Sequence, residues 1–342
     1  AAAFQFKNGA AFACGGQYDY FDFREKFSDG WGTTFQVQRD KFDKILADEA
    51  QHQGVEIRYG HKVNAYKRTG NETILDVSTD KGESYQVTAS IILDASGFGR
   101  VLPRLLGLEK SSQLASRISL FTHIEDHIDD SRFDRKKILI TVHPEHRDIW
   151  YWLIPFSKGR CSVGVVAPRE FIKAMPGDDE EKLRCLISEG VLLAELLQNS
   201  DFDTAIGQID GYSSDVTSLY GEGFALLGNA GEFLDPVFSS GVTIALKSAS
   251  LAAAVVDREL SGKEPDWEQE YAVCLKQGVD TFRAFVEGWY DGRLQDVIFA
   301  PDKNEAVKRM ISSVLAGYAW DLENPYIKDT SRLTTLAELC RN

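Results

Sequence analysis

The sequence predicts an α/β fold: a parallel-sheet layer, an inserted antiparallel sheet, and a helical C-terminal region. Three observations predict it. Two segments, IILDASGFGRVLPRLLGL (residues 91–108) and FALLGNAGEFLDPVFSSGVTIAL (residues 224–246), each run from an apolar strand through a glycine-bearing turn into a helix. Between them, residues 117–167 hold RISLFTHIED, KILITVHP, DIWYWLIPF and CSVGVVA, long apolar strands that suggest an antiparallel sheet. Residues 266–342 are mostly helical, with a break at Pro301.

The remaining elements follow in order. FQVQRDKFDKILADEAQHQ (residues 35–53) starts as a strand and becomes an amphipathic helix with Phe42, Ile45, Leu46 and Ala50 on one stripe. Gly54 is its stop signal. VEIRYGHKVNAYKRT reads as strand, turn, strand. A hairpin around Lys81-Gly82 then feeds strand 90–94, whose Ile91, Ile92 and Leu93 suit a buried parallel strand. Helix 101–106 ends at Gly107, residues 179–199 are helical, and a long helix begins near Gly241.

The chain has 342 residues, enough for a large core or two domains. Its net charge of −14 argues against nucleic acid and anionic membrane surfaces as partners, since both need a basic face. The densest basic cluster, Arg132, Arg135, Lys136 and Lys137, reads as a solvated loop. The five cysteines, Cys14, Cys161, Cys185, Cys274 and Cys340, have no metal-ligand or CxxC spacing, which suits reduced thiols in a cytoplasmic protein. No apolar run suggests a membrane span, and no signal peptide is visible. The start, AAAFQFKNG, has no initiator Met, so upstream residues are expected.

Several residues are candidates for chemistry. Trp150 and Trp152 share one face of a strand and Tyr151 takes the other. This is either a core strand with large residues or a rigid aromatic wall, and Pro155 is expected to end it. Asp94, Ala95, Ser96 and Gly97 close a strand where ligands of open α/β sheets bind, or form an ordinary turn. Gly228-Asn229-Ala230-Gly231, Asp235-Pro236 and Ser239-Ser240-Gly241 lead into a helix N-terminus able to stabilise negative charge. The alternative there is N-capping by Ser239 or Ser240. Arg39 reaches a ribose, phosphate or ring, or pairs with Asp40 or Asp43. Lys7 stands among apolar residues, as a functional amine in a cavity or a solvated lysine. His123, His127, His143 and His146 lack ligand spacing and read as structural, so no metal is expected. Neither a nucleophile elbow nor a GKT/GKS phosphate loop is present.

These motifs resemble a known family. DASGFGRVLPRLLGL and LLGNAGEFLDPVFSSGVTIAL are similar to the later FAD signatures of p-hydroxybenzoate-hydroxylase-like flavoproteins, and FQVQRDKFDKIL resembles their VxRxxFDxxL segment. Trp150-Tyr151-Trp152-Leu153-Ile154-Pro155 resembles the WxWxIP motif of flavin-dependent halogenases, and FQFKNGAAF resembles the segment holding their active-site lysine.

The resemblance implies an FAD-binding domain over 30–110 and 210–262, a substrate-side sheet domain over 1–29 and 111–209, and a helical region over 263–342. It implies a halogenase using reduced FAD from a partner reductase, O2, and chloride or bromide on an electron-rich aromatic ring, free or carrier-tethered. Lys7 would orient hypohalous acid, and Trp150, Trp152, Ile154 and Pro155 would separate flavin from substrate. Arg39, Asp94, Ala95, Gly97, Gly228, Asn229, Asp235, Pro236, Ser240, Gly241 and Val242 would line the FAD site, with Ser239, Ser240 and Gly241 holding halide. Two departures stand out: the family's leading GxGxxG turn is not in this chain, and Asn229 replaces the usual aspartate of a GD pair. A monooxygenase or reductase on the same scaffold, and a non-enzymatic FAD-fold binding protein, are the competing expectations.

Overall fold

The computed structural model describes residues 3–302 and 304–341. The chain divides into two compact units: Ala1–Ile45, Ala115–Gly211 and Thr281–Asn342 form one, Leu46–Leu114 and Tyr212–Asp280 the other.

The first unit is built on a seven-stranded sheet. Its strand order is Gly207–Asp210, Arg117–Glu125, Arg160–Pro168, Trp150–Phe156, Lys137–Val142, Gly9–Cys14 and Gln17–Asp22. The expected antiparallel sheet over 117–167 is present and is extended at both sides. The junction of Lys137–Val142 with Gly9–Cys14 is parallel and the other pairings are antiparallel. Period-two alternation sends Leu120, Leu139, Tyr151, Leu153, Val163 and Val165 to one face, where they pack with Ile172, Leu183, Leu186 and Leu193 of three helices. Two of those helices, Asp179–Glu189 and Val191–Leu196, replace the single one expected over 179–199; they break at Gly190. Trp150 and Trp152 take the opposite face, where Trp150 meets Trp289 of the helix Cys274–Tyr290. A separate ribbon pairs Gln5–Lys7 with Thr34–Gln36.

Pro155 does not end its strand. The strand runs to Phe156, with Pro155 opposite Cys161. The neighbouring ladder stops at Leu153, so Pro155 lies beyond that ladder and its missing N–H breaks none of its bonds. The basic cluster is a solvated loop over residues 132–136, with Arg132 and Lys136 exposed, and only Lys137 departs from that expectation. Arg132 pairs with Asp130 and Glu195, Arg135 with Asp126, and Lys137 is a buried strand residue paired with Asp134.

In the second unit, Ile92–Asp94 pairs in parallel with Phe224–Leu226, and Tyr220–Gly221 joins antiparallel. Ile92–Asp94 is an edge of this sheet and Leu93 is 39% exposed, where burial on both faces was expected. His61–Thr69, Glu72–Thr79 and Ser84–Ala89 form a meander with the expected turn at Lys81-Gly82. Residues 55–58 do not form the expected strand; they are irregular and pair with no partner strand. The helix Ser240–Leu260 buries Ile244, Ser248, Ala252 and Val255 at intervals of four, four and three. By length and composition it could cross a membrane, against the expectation that no run comes close. It packs one stripe into this unit and leaves Leu246 54% exposed.

The sequence-expected strand and helix near residues 35–53 appear as Thr34–Gln36 and Arg39–His52. Gly54 follows at φ +93°, a left-handed stop that favours glycine.

Candidate active site

Lys7 ends the ribbon strand Gln5–Lys7 and faces Thr34 across it. It is half-buried, and its ammonium lies 5.7 Å from the centre of the Phe23 ring. No carboxylate among the described residues offsets this burial. Desolvation alone lowers its pKa from 10.5 to about 8. Lys137 shows the contrast: its Nζ donates to Asp134 at 2.7 Å and to the Asn8 side chain at 3.2 Å. Alternation along the ribbon places Gln5, Lys7, Thr34 and Gln36 on one face. Gln36 is 5% exposed, and its Oε1 has no hydrogen-bond partner among the described residues.

Trp150 and Trp152 lie side by side on one face of their strand. The Trp150 and Trp152 rings lie 5.8 Å apart, tilted by 47°. Trp150 is fully buried and Trp152 half-buried. Each indole N–H is bonded: Trp150 donates to the Tyr290 hydroxyl at 2.9 Å, Trp152 to Ser162 Oγ at 3.1 Å. Phe121 flanks Trp152 at 6.1 Å, and Gly164 leaves room beneath the ring. Ile154 is half-buried and Pro155 buried. Tyr151 points to the other face as expected; its buried hydroxyl has no partner among the described residues, and desolvation raises its pKa.

In the second unit, Asp94 is 6% exposed and acts as a double cap: Oδ1 accepts from the Ser96 amide at 2.8 Å, Oδ2 from Leu102 at 2.7 Å. Ala95 is exposed, and Gly97 sits at φ +59° with open space beside its Cα. The Gly228 amide donates to Ser248 Oγ at 2.9 Å, and a Cβ on Gly228 would come within 3.0 Å of Ala245. The half-buried Asn229 side chain lies near Gly241 and hydrogen-bonds to no described residue. Asp235 is buried; it accepts from Val237 N at 3.0 Å and from the Tyr212 hydroxyl at 3.1 Å, with Pro236 starting a short helical turn.

Ser239 is left-handed at φ 52°, and its side chain does not cap the helix that Ser240 opens. Capping by Ser239, the alternative left open by sequence, is therefore excluded. Ser240 is buried, while Gly241 and Val242 are half-buried in the first turn. The uncapped terminus of this long helix presents backbone N–H groups and the positive end of its dipole. Arg39 makes a bidentate, exposed ion pair with Asp43 at 2.8 Å.

Sequence reasoning missed Arg100, whose guanidinium ties the two glycine turns together. It is 5% exposed, donates to Ser214 Oγ and the Asp215 carbonyl at 2.8 Å, and reaches the Asn229 and Gly231 carbonyls at 3.5 and 3.4 Å. Its φ of 45° and its distant partners leave no sequence signal. Gly164 was detectable: a glycine inside the apolar strand CSVGVVA marks a close approach. His127 is also closer to carboxylates than spacing suggested. The bridge between Glu125 and Asp201 brings both within ligand reach of it, and all three are exposed.

These features define a mixed α/β protein with the FAD-binding fold of flavoprotein oxidoreductases. The chain belongs to the tryptophan halogenase family, whose model matches residues 22–308. It is 27% identical, over 79% of its length and 61% of the relative's, to a 1H-pyrrole-2-carbonyl-[peptidyl-carrier protein] chlorinase of Pseudomonas fluorescens. It is 29% identical, over 77% of its length and 50% of the relative's, to a tryptophan 2-halogenase of Chondromyces crocatus. The chain thus spans between half and three fifths of these relatives. A solved structure described as a flavoprotein/dehydrogenase from Cytophaga hutchinsonii superposes with a TM-score of 0.95 at 42% identity, covering 99% of this chain and 83% of that one. The flavin-dependent brominase Bmp2 shares the fold, with a TM-score of 0.74 at 21% identity, covering 100% of this chain and 79% of that one.

Proposed function

We propose that this chain is the main body of an FAD-dependent halogenase acting on an electron-rich aromatic ring. The carrying observation is Lys7, a lysine with no counter-ion among the described residues, held beside Phe23 with its pKa lowered to about 8. At neutral pH it stays an ammonium, able to donate a hydrogen bond to hypohalous acid and fix its position.

The residues of the second unit fit FAD. The uncapped start of helix Ser240–Leu260, with Gly241 in its first turn, suits an electron-rich ring carbonyl or a halide. The open space at Gly97 and the free carboxamide of Asn229 suit close approach by a nucleotide. When bound, FAD supplies the oxidation of halide by O2. Asp94 and Asp235 serve this site by holding its turns, since their carboxylates are engaged with backbone amides. A separate reductase supplies reduced flavin, and the substrate is a free aromatic or an acyl group on a carrier protein. The carrier class rests on the chlorinase relative. Placement in the cytoplasm rests on the scattered cysteines, odd in number and without CxxC spacing.

A second reading has its own support. The structure at 42% identity is described as a flavoprotein/dehydrogenase, so flavin redox chemistry without halide is the competing function. Full-length protein incubated with reduced FAD, bromide and a phenol separates the two. A product heavier by one bromine in place of hydrogen supports halogenation. Flavin turnover with bromide left unincorporated across phenol, pyrrole and indole substrates overturns it.

A further inference from the structure

The two indoles of the wall are held in different ways. Trp152 is tied within its own sheet, to Ser162 of the neighbouring strand. Trp150 is tied outside the sheet, to Tyr290 at the end of the helix Cys274–Tyr290. Tyr290 is itself clamped. The Arg117 guanidinium lies 3.5 Å from the centre of its ring, a close cation–π stack. Arg117 is 7% exposed and is fixed in turn by donating to the Asp148 carbonyl at 2.7 Å. A buried guanidinium needs such partners, so its position is well determined.

We propose that Tyr290, held by Arg117, is a positioning residue that sets the tilt of Trp150 and, through it, of Trp152. Three facts support this. Trp150 is packed on the sheet with 1% exposure, so its ring cannot move without moving its neighbours. Trp289, the residue before Tyr290, meets the Trp150 ring edge-on at 6.5 Å and also packs against Phe12 at 5.9 Å. The same helix end thus holds Trp150 by one hydrogen bond and one ring contact. Finally, Trp152 is the half-exposed member of the pair, and its ring rests on that of Trp150.

The functional consequence rests on the halogenase reading. A wall set at the wrong tilt lets the oxidant leave before it meets the substrate. Tyr290→Phe keeps the ring under Arg117 and removes the hydroxyl. Arg117→Met keeps the hydroxyl and removes the cation.

The first measurement needs no flavin: ultraviolet resonance Raman and near-ultraviolet circular dichroism of the folded protein, with Trp150→Phe used to identify the Trp150 signals. Tyr290→Phe is expected to shift the Trp150 indole N–H band to its unbonded position and to weaken the coupled indole dichroism. Arg117→Met is expected to broaden the same band. Unchanged spectra in both variants overturn the positioning role, whatever reaction the protein catalyses. The second measurement is the ratio of escaped hypohalous acid, caught by a diketone trap that it halogenates, to halogenated product. Tyr290→Phe is expected to raise it about threefold or more, with flavin oxidation within about twofold of the parent. A shifted band with an unchanged ratio overturns the role in the reaction and leaves the structural assignment standing. A parent protein that turns over flavin but halogenates nothing removes the halogenase reading itself, and the spectra still decide the positioning.

Discussion

Trp152 and Gly164 face each other across neighbouring strands, and the indole occupies the space where a side chain at 164 would begin. A Cβ there would also come within 2.7 Å of the Phe121 side chain. Gly164→Ala should therefore destabilise the protein by roughly 1–3 kcal/mol, the usual range for overpacking. It should also displace Trp152 and weaken its bond to Ser162. Chemical denaturation checks the first and indole fluorescence the second; a variant as stable as the parent refutes the close packing.

Lys7 should lower stability at neutral pH. Its folded pKa, about 8, lies below its ordinary 10.5, because burial favours the neutral amine. Between those values the unfolded chain holds a proton that the folded chain does not, so stability rises with pH across that window. Below pH 8 both states are protonated and the penalty is complete. Lys7→Met should raise the melting temperature at pH 7, with the difference shrinking toward pH 10, while halogenation is lost and flavin oxidation persists. Melting curves at several pH values, with product assays, check both. A melting temperature lowered at pH 7 would sink the buried-ammonium account.

Arg100 serves both glycine turns with one side chain. Arg100→Met leaves buried carbonyls and the Ser214 hydroxyl without a donor, at roughly 2–3 kcal/mol. FAD affinity of the full-length protein should fall with it, read by flavin fluorescence. Unaltered affinity in a folded variant would show that the turns keep their shape without the clamp.

Ser239 is held left-handed without capping the helix that follows. Ser239→Ala should change stability by less than about 0.5 kcal/mol, where loss of a working N-cap costs about 1. Ser239→Gly should gain roughly 0.5–1 kcal/mol by relieving the backbone. Denaturant midpoints of the two variants check the sign; a large loss for alanine would restore a capping role.

Tyr151→Phe removes a buried hydroxyl that has no partner among the described residues, so it should leave stability unchanged or raise it. A loss above about 1 kcal/mol in thermal unfolding would show that the hydroxyl is satisfied.

Much of this was legible in the sequence because it rests on local periodicity. The alternation in DIWYWLIPF placed both tryptophans on one face, and the strand–turn–helix order at 91–108 and 224–246 located both glycine turns. What depends on distant partners was hidden. No local pattern shows that Arg100 reaches Ser214 and Gly231, that Lys137 donates to Asn8, or that Tyr290 lies 140 residues from the indole it bonds. Proline's effect at 155 was misjudged because it depends on where the adjacent ladder stops, which is a tertiary fact. Residues 55–58 carry strand-forming valine and isoleucine but have no neighbouring strand to complete them.

The double capping by Asp94 reaches beyond stability. With both carboxylate oxygens committed to amides on either side of Gly97, the loop is cast before any guest arrives. Its entropy is already spent in folding, so docking there needs little reshaping. Amide hydrogens at Ser96 and Leu102 should accordingly exchange slowly in the ligand-free protein, as in a mould that keeps its form when empty.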